Sequence, residues 1–96
     1  MRAYEIFMIL KPDLTDEVIA ETKERLQKII ESFGGEFVKE VEGWGKRRLA
    51  YGIEDYLEGI YVLWYFNGQP ETVDELDRVI KISDRILRHI IIRKDE

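Results

Sequence analysis

The sequence contains no cysteine. Disulfides and thiolate metal sites are excluded, and nothing in the chain calls for an oxidising compartment. It has a single histidine, His89, with no His, Cys or acid near it at metal-ligand spacing. The plain reading of His89 is a half-buried strand residue. Long apolar runs are also missing. The stretch Ile6 to Leu10, between Glu5 and Lys11, is too short for a membrane span or a signal h-region, so a cytoplasmic protein is expected. No glycine-rich phosphate loop is present: Gly34-Gly35 follows a helical pattern, whereas a phosphate loop follows a strand and precedes a helix. Nor is any pair of acids placed in an apolar setting that would shift a pKa. The expectation is a chain without catalytic residues, metal, cofactor, membrane contact or small-molecule substrate.

What is present fits one folded unit. The chain has 96 residues, of which 45% are hydrophobic, enough for one core and well above a disordered composition. A single domain spanning 1–96 is expected. Charged residues reach 36%, mostly Glu, Lys and Arg, and asparagine occurs once, at Asn67. High ion-pair capacity with few thermolabile residues suggests a heat-loving host.

The net charge is −5, which at first disfavours a nucleic-acid ligand. Its distribution alters that reading. Residues 44–53 carry Lys46, Arg47 and Arg48 without an acid, and residues 85–94 carry Arg85, Arg88, Arg93 and Lys94 without an acid; these segments hold +7, so the other 76 residues hold −12. Phosphate binding depends on local potential rather than on the sum.

Hydrophobic periodicity orders the elements. Arg2 to Leu10 is rich in β-formers and reads as a strand, broken by Pro12 and Asp13. Thr15 is a suitable N-cap, with Asp16 and Glu17 where the helix dipole favours acids. Leu14, Val18, Thr22, Leu26, Ile29, Ile30 and Phe33 recur at helical spacing, and Glu21–Arg25 and Glu24–Lys28 stand at i,i+4. Gly34-Gly35 ends this helix, since either glycine can take the left-handed conformation beyond the cap. Glu36 to Arg48 is a long, polar, imperfect alternation suited to an edge strand. Gly43-Trp44-Gly45 bends it, and Leu49 to Ile53 continues or re-enters the sheet. Asp55 to Gly59 reads as a turn. Ile60 to Phe66 is a central strand closed by Asn67-Gly68. Pro70 suits the first turn of a second helix, with Val73, Leu76, Val79 and Ile80 as its stripe and Asp74–Arg78 and Asp77–Lys81 at i,i+4. Ser83-Asp84 turns into a last strand, Ile86 to Arg93, and Asp95 and Glu96 are expected to fray.

The order β-α-β-β-α-β with right-handed crossovers predicts an α+β, ferredoxin-like fold: a four-stranded antiparallel sheet with two helices on one face. The first and third strands should be central and the other two edges. The second sheet face is then open. If Ile6 and Met8 face the helices, Ala3, Glu5, Phe7 and Ile9 line the open face. For the third strand, periodicity leaves open whether Tyr61/Leu63/Tyr65 or Ile60/Val62/Trp64/Phe66 faces the core. Such a face could dock a protein, stack single-stranded bases, or be covered by Arg and Lys stems. Phe7, Ile9, Tyr61, Leu63 and Tyr65 are the candidate partner-binding residues. Arg2, Lys46, Arg47, Arg48, Arg88, Arg93 and Lys94 are the candidate RNA-binding residues. A metabolite-binding regulatory module or a small hydrolase on the same fold are the competing classes.

Three motifs, in this order, carry a resemblance. Met1-Arg2-Ala3-Tyr4-Glu5-Ile6 opens the chain. Gly43-Trp44-Gly45-Lys46-Arg47-Arg48-Leu49-Ala50-Tyr51-Gly52-Ile53 combines glycine, basic residues and Leu-Ala-Tyr. Lys81-Ile82-Ser83-Asp84-Arg85-Ile86-Leu87-Arg88-His89-Ile90 leads into the last strand. Together with Tyr61-Val62-Leu63 they resemble the bacterial small-subunit ribosomal protein S6 family over the whole chain. The resemblance implies a non-enzymatic ribosomal component that binds the central domain of 16S rRNA together with ribosomal protein S18, alongside other small-subunit components, and supports assembly and translation. Two departures stand out. Gly52 occupies a position where relatives often carry proline, which would loosen the backbone there. The long acidic C-terminal tail of many relatives has no counterpart before Glu96.

Overall fold

The computed structural model describes residues 1–94; Asp95 and Glu96, expected to fray, lie outside the described residues. The elements run β1 (Arg2–Leu10), α1 (Asp16–Ser32), β2 (Glu36–Glu40), β3 (Lys46–Ile53), β4 (Tyr56–Gly68), α2 (Pro70–Lys81) and β5 (Ile86–Arg93). All pairings are antiparallel, in the order β2-β4-β1-β5, with β3 also on β4. The ferredoxin-like arrangement is therefore present, with β1 and β4 central as expected.

Two expectations are corrected. The strand expected from Glu36 onward is two strands, giving β-α-β-β-β-α-β. Gly43 and Gly45 adopt φ of 95° and 132°, conformations that L side chains resist, and a turn at Glu42-Gly43 separates β2 from β3. β4 is 13 residues long, enough to seat β2 on its C-terminal half and β3 on its N-terminal half. The ladder stays closed around the bend: Val41 N–H donates to the Leu63 carbonyl at 2.8 Å, and Tyr61 N–H to the Gly45 carbonyl at 2.9 Å. Secondly, the turn expected over Asp55 to Gly59 is confined to Glu54 and Asp55, between the paired residues Ile53 and Tyr56. Tyr56 to Gly59 already belongs to β4, so a two-stranded arm projects past the last β1–β4 pair, Leu10 with Ile60.

The core lies between the sheet and the two helices. Tyr4, Ile6, Met8 and Leu10 of β1 meet Val62, Trp64 and Phe66 of β4, under Leu26 and Ile30 of α1 and Leu76, Val79 and Ile80 of α2. This decides the β4 register: Tyr61, Leu63 and Tyr65 point to the open face. Trp64 is fully buried, and its indole N–H donates to Glu40 Oε1 at 2.9 Å. The other carboxylate oxygen of Glu40 receives Lys23 Nζ at 2.9 Å. Without that acceptor a buried indole N–H would cost about 1–3 kcal/mol, so this link ties β2 to both the core and α1.

The helix ends follow their sequence signals. The Thr15 hydroxyl accepts from Val18 N–H at 3.2 Å, and Gly34, beyond the Phe33 cap, takes φ of 84°. Pro70 occupies the first turn of α2, and Lys81 meets Asp77 at 2.9 Å. Lys28 and Glu24 stand 3.6 Å apart. Two expected helical pairs are replaced: Glu21 reaches Arg85 at 3.0 Å, and Arg78 takes Glu75 at 2.6 Å.

Candidate partner and nucleic-acid interface

In a strand, alternate side chains share a face, and opposed residues of a paired strand share it too. The register therefore lays out the open face in rows. Phe7 stands between Leu63 and Ile90, Ile9 between Tyr61 and Arg88, and Glu5 between Tyr65 and Ile92. Lys39 of β2 lies opposite Tyr65.

Towards the β3 side, three rings cluster. Phe7 meets Tyr61 edge-on at 5.3 Å between centroids and Trp44 edge-on at 5.7 Å, while Trp44 lies near-parallel to Tyr61 at 6.1 Å. These are the offset and T-shaped geometries that ring quadrupoles favour. Arg47 places its guanidinium 5.1 Å from the Trp44 centroid and donates to the Gly43 carbonyl at 3.0 Å. Trp44 stays 42% exposed. A shallow depression of about 310 Å³ lies beside the cluster, lined by Phe7, Ile9, Arg88, His89 and Ile90. At the opposite end of the face, Tyr65 lies under two ammonium groups, Lys94 at 4.0 Å and Lys39 at 5.7 Å from its centroid. The face is thus an aromatic and aliphatic centre with cations at both ends.

The candidate partner-binding residues converge on this face, with one qualification. Phe7, Tyr61, Leu63 and Tyr65 are half-buried and reachable, but Ile9 is only 8% exposed. It fills the space above Gly59, beside Leu49, so it supports the face more than it presents one. The candidate RNA-binding residues do not form one patch. Arg47 faces the open side with Gly59, whereas Lys46 and Arg48 alternate to the other side, opposite Ile60 and Glu58. Arg88 shares the open face at the same end of the sheet. Arg2, paired with Gly68, Arg93, paired with Tyr4, and Lys94 sit at the far end, and Arg2 and Arg93 alternate to the helix side. The acid-free segments are not acid-free in space: Glu58 confronts Arg48, and Glu21 holds Arg85. Trp44, Lys39, Ile90 and Ile92 belong to the face but were not among the candidates. An aromatic between two glycines and the alternation Arg88, Ile90, Ile92 were the signals for three of them.

His89 does have an acidic partner. Its Nε2 lies 2.6 Å from Asp77 Oδ1 of α2, on the helix side of β5. The hydrogen bond to His89, then that to Lys81, holds the Asp77 carboxyl below its ordinary range. Glu75 is likewise lowered by its hydrogen bond with Arg78. Among the described residues, no group of three or more His, Cys, Asp or Glu side chains could hold a metal, and no helix is long and apolar enough to cross a membrane.

Residues 3–93 match the family model described as ribosomal protein S6. The chain belongs to the ribosomal protein S6 family. A small ribosomal subunit protein bS6 from Syntrophomonas wolfei is 69% identical over all of this chain and 99% of its own length. One from Desulforudis audaxviator is 50% identical over 99% of this chain and all of its own. The crystal structure of 30S ribosomal protein S6 from Thermotoga maritima superposes with a TM-score of 0.89 at 32% identity, over 97% of this chain and 87% of that one. S6 is a structural constituent of the small ribosomal subunit, not an enzyme, and works in the cytoplasm as part of the ribosome.

Proposed function

We propose that this S6 chain binds the central domain of 16S rRNA together with ribosomal protein S18, and so supports assembly of the small subunit. The observation that carries the reading is the open sheet face, where the Phe7–Tyr61–Trp44 cluster and Ile90 form an apolar centre between cationic ends. An apolar patch of this kind is costly to leave in water, and protein docking removes it from water at roughly 25 cal/mol per Å2 before association costs. The cations around it, Arg47, Arg88, Lys39 and Lys94, remain available to phosphate. A chain with net charge −5 attracts RNA weakly by itself, so the partner supplies further cationic contacts and the two ligands reinforce each other.

Phe7→Ser tests the reading. Phe7 lies on the open face and outside the core, so the variant keeps the fold by circular dichroism and urea midpoint. Its affinity for S18, titrated without RNA, should fall at least about tenfold, in the range of a buried interface anchor. Its interaction with single-stranded RNA should change little. Unchanged S18 binding with lost RNA binding would make the face a base-stacking surface instead.

A further inference from the structure

The outer edge of β5 has the chemistry of a docking site for an extended peptide. Among the described residues β5 pairs with β1 alone. Lys94 N–H donates to the Ala3 carbonyl at 2.8 Å, which sets the phase of the strand. The polar backbone groups of Ile92, Ile90 and Arg88 point towards β1 by the same two-residue period, and those of Ile91 and His89 point outward. Unpaired edges of this kind are usually blunted by charge, bulges or brevity. The β2 edge is blunted: it has five residues, a register shift and three charged side chains. The β5 edge is regular from Arg88 to Arg93, with no proline and no acid.

The side chains along that edge carry a pattern. On the open-face side they run Arg88, Ile90, Ile92, Lys94, a cation at each end and two isoleucines between. Ile90 and Ile92 are 54% and 47% exposed. Their complement is a strand with an acid at each end and aliphatic residues between, at alternate positions, and because that pattern reads the same in both directions it fits either strand polarity. A second copy of β5 is a poor occupant, since residues 85–94 carry +4 and no acid and two copies would juxtapose like charge. A nucleic-acid backbone can meet the cations but is a poor occupant of the edge itself, because it does not present donors and acceptors alternating at the strand spacing that the outward N–H and C=O groups require.

We propose that β5 accepts an extended segment of a protein partner by strand addition, the segment carrying acidic residues opposite Arg88 and Lys94 and aliphatic residues opposite Ile90 and Ile92. The proposal does not depend on S18 occupying the open face. The probe is a blocked seven-residue peptide with glutamate at both ends, valine at the third and fifth positions and threonine elsewhere; the control replaces each glutamate by lysine. With the full chain labelled for NMR, the acidic peptide should shift the His89 and Ile91 amides and slow their hydrogen exchange. It should bind at least about tenfold more tightly than the control. Arg88→Glu, at an exposed position, should abolish that preference, Ile92→Ser should weaken both peptides, and Phe7→Ser should change neither. Equal binding of the two peptides, or shifts centred on Phe7, Trp44 and Tyr61 with the edge amides still exchanging freely, would overturn the proposal. So would slowed edge exchange that grows with protein concentration in the absence of peptide, which would identify a second copy as the occupant.

Discussion

Gly35 stands where no side chain fits. A Cβ there would lie 2.7 Å from the Asn67 carbonyl, 2.8 Å from the Ile30 carbonyl and 2.8 Å from Thr72 Cγ2. Two of these neighbours are backbone, so α1 and β4 would have to separate. Gly35→Ala should cost about 1–3 kcal/mol, the usual penalty for overpacking, read from urea denaturation; a loss below about 0.5 kcal/mol would show that the junction relaxes freely. The sequence marks Gly34-Gly35 as a helix end, but which glycine is required by conformation and which by space depends on β4 and α2 lying behind them. His89 makes the same point: nothing adjacent in sequence hints at Asp77, because the pair joins a strand to a helix. Asp77→Asn should lower stability at neutral pH by no more than about 1 kcal/mol, since the carboxylate is about a third exposed and solvent screens it. The folded-state pKa of Asp77 is lowered, so its contribution is complete above the unfolded value of about 4 and is lost as pH falls through the lower folded value. Urea midpoints of parent and variant should converge in acid and separate towards neutrality.

The sequence pattern resolved β1, both helices and β5 at nearly their final bounds and the apolar middle of β4, residues 60–66 of 56–68, because each carries a local signal: a period, a cap or a run of β-formers. β2 and β3 have weak alternation and exposed, charged side chains, so no local signal separates one bent strand from two. What separates them is β4, long enough to pair with both. The β3–β4 turn carries an internal conflict. Glu54 and Asp55 both adopt positive φ, 49° and 71°, as a two-residue hairpin turn requires, yet Asn-Gly is the pair that takes this geometry without strain. Replacing Glu54→Asn together with Asp55→Gly should stabilise the chain by about 1 kcal/mol, seen as a higher urea midpoint with an unchanged denaturant slope. No gain would mean that the arm is already frayed at equilibrium and that its strain is not felt by the fold.

At the scale of the whole molecule the charges sort by end and by face. Arg47 lies on the open side of β3 and Arg48 on the other, opposite Glu58, although they adjoin in sequence. The rRNA contacts proposed for the two should therefore separate. Measured with S18 present on a central-domain rRNA fragment across a salt series, Arg47→Ala should flatten the log–log slope by about 0.9 for one lost duplex phosphate contact. Arg48→Ala should leave the slope nearly unchanged, since its side chain alternates to the other side of the sheet, at the position paired with Glu58. Equal flattening by both would place the β3 arm, rather than the open face, against the phosphates.

The sequence alone determined the element types, the ferredoxin-like order up to the β2–β3 division, the location of the basic segments and the family motifs. Each is encoded locally, in a period, a cap or a short run of residues. Only the tertiary structure decided the orientation of β4, the membership of Trp44, Lys39, Ile90 and Ile92 in the open face, and the pairing of Arg85 with Glu21 across 64 residues. A strand's period states which side chains share a face; which face is covered, and which charges meet across it, is settled when the helices pack down and the strands take their register.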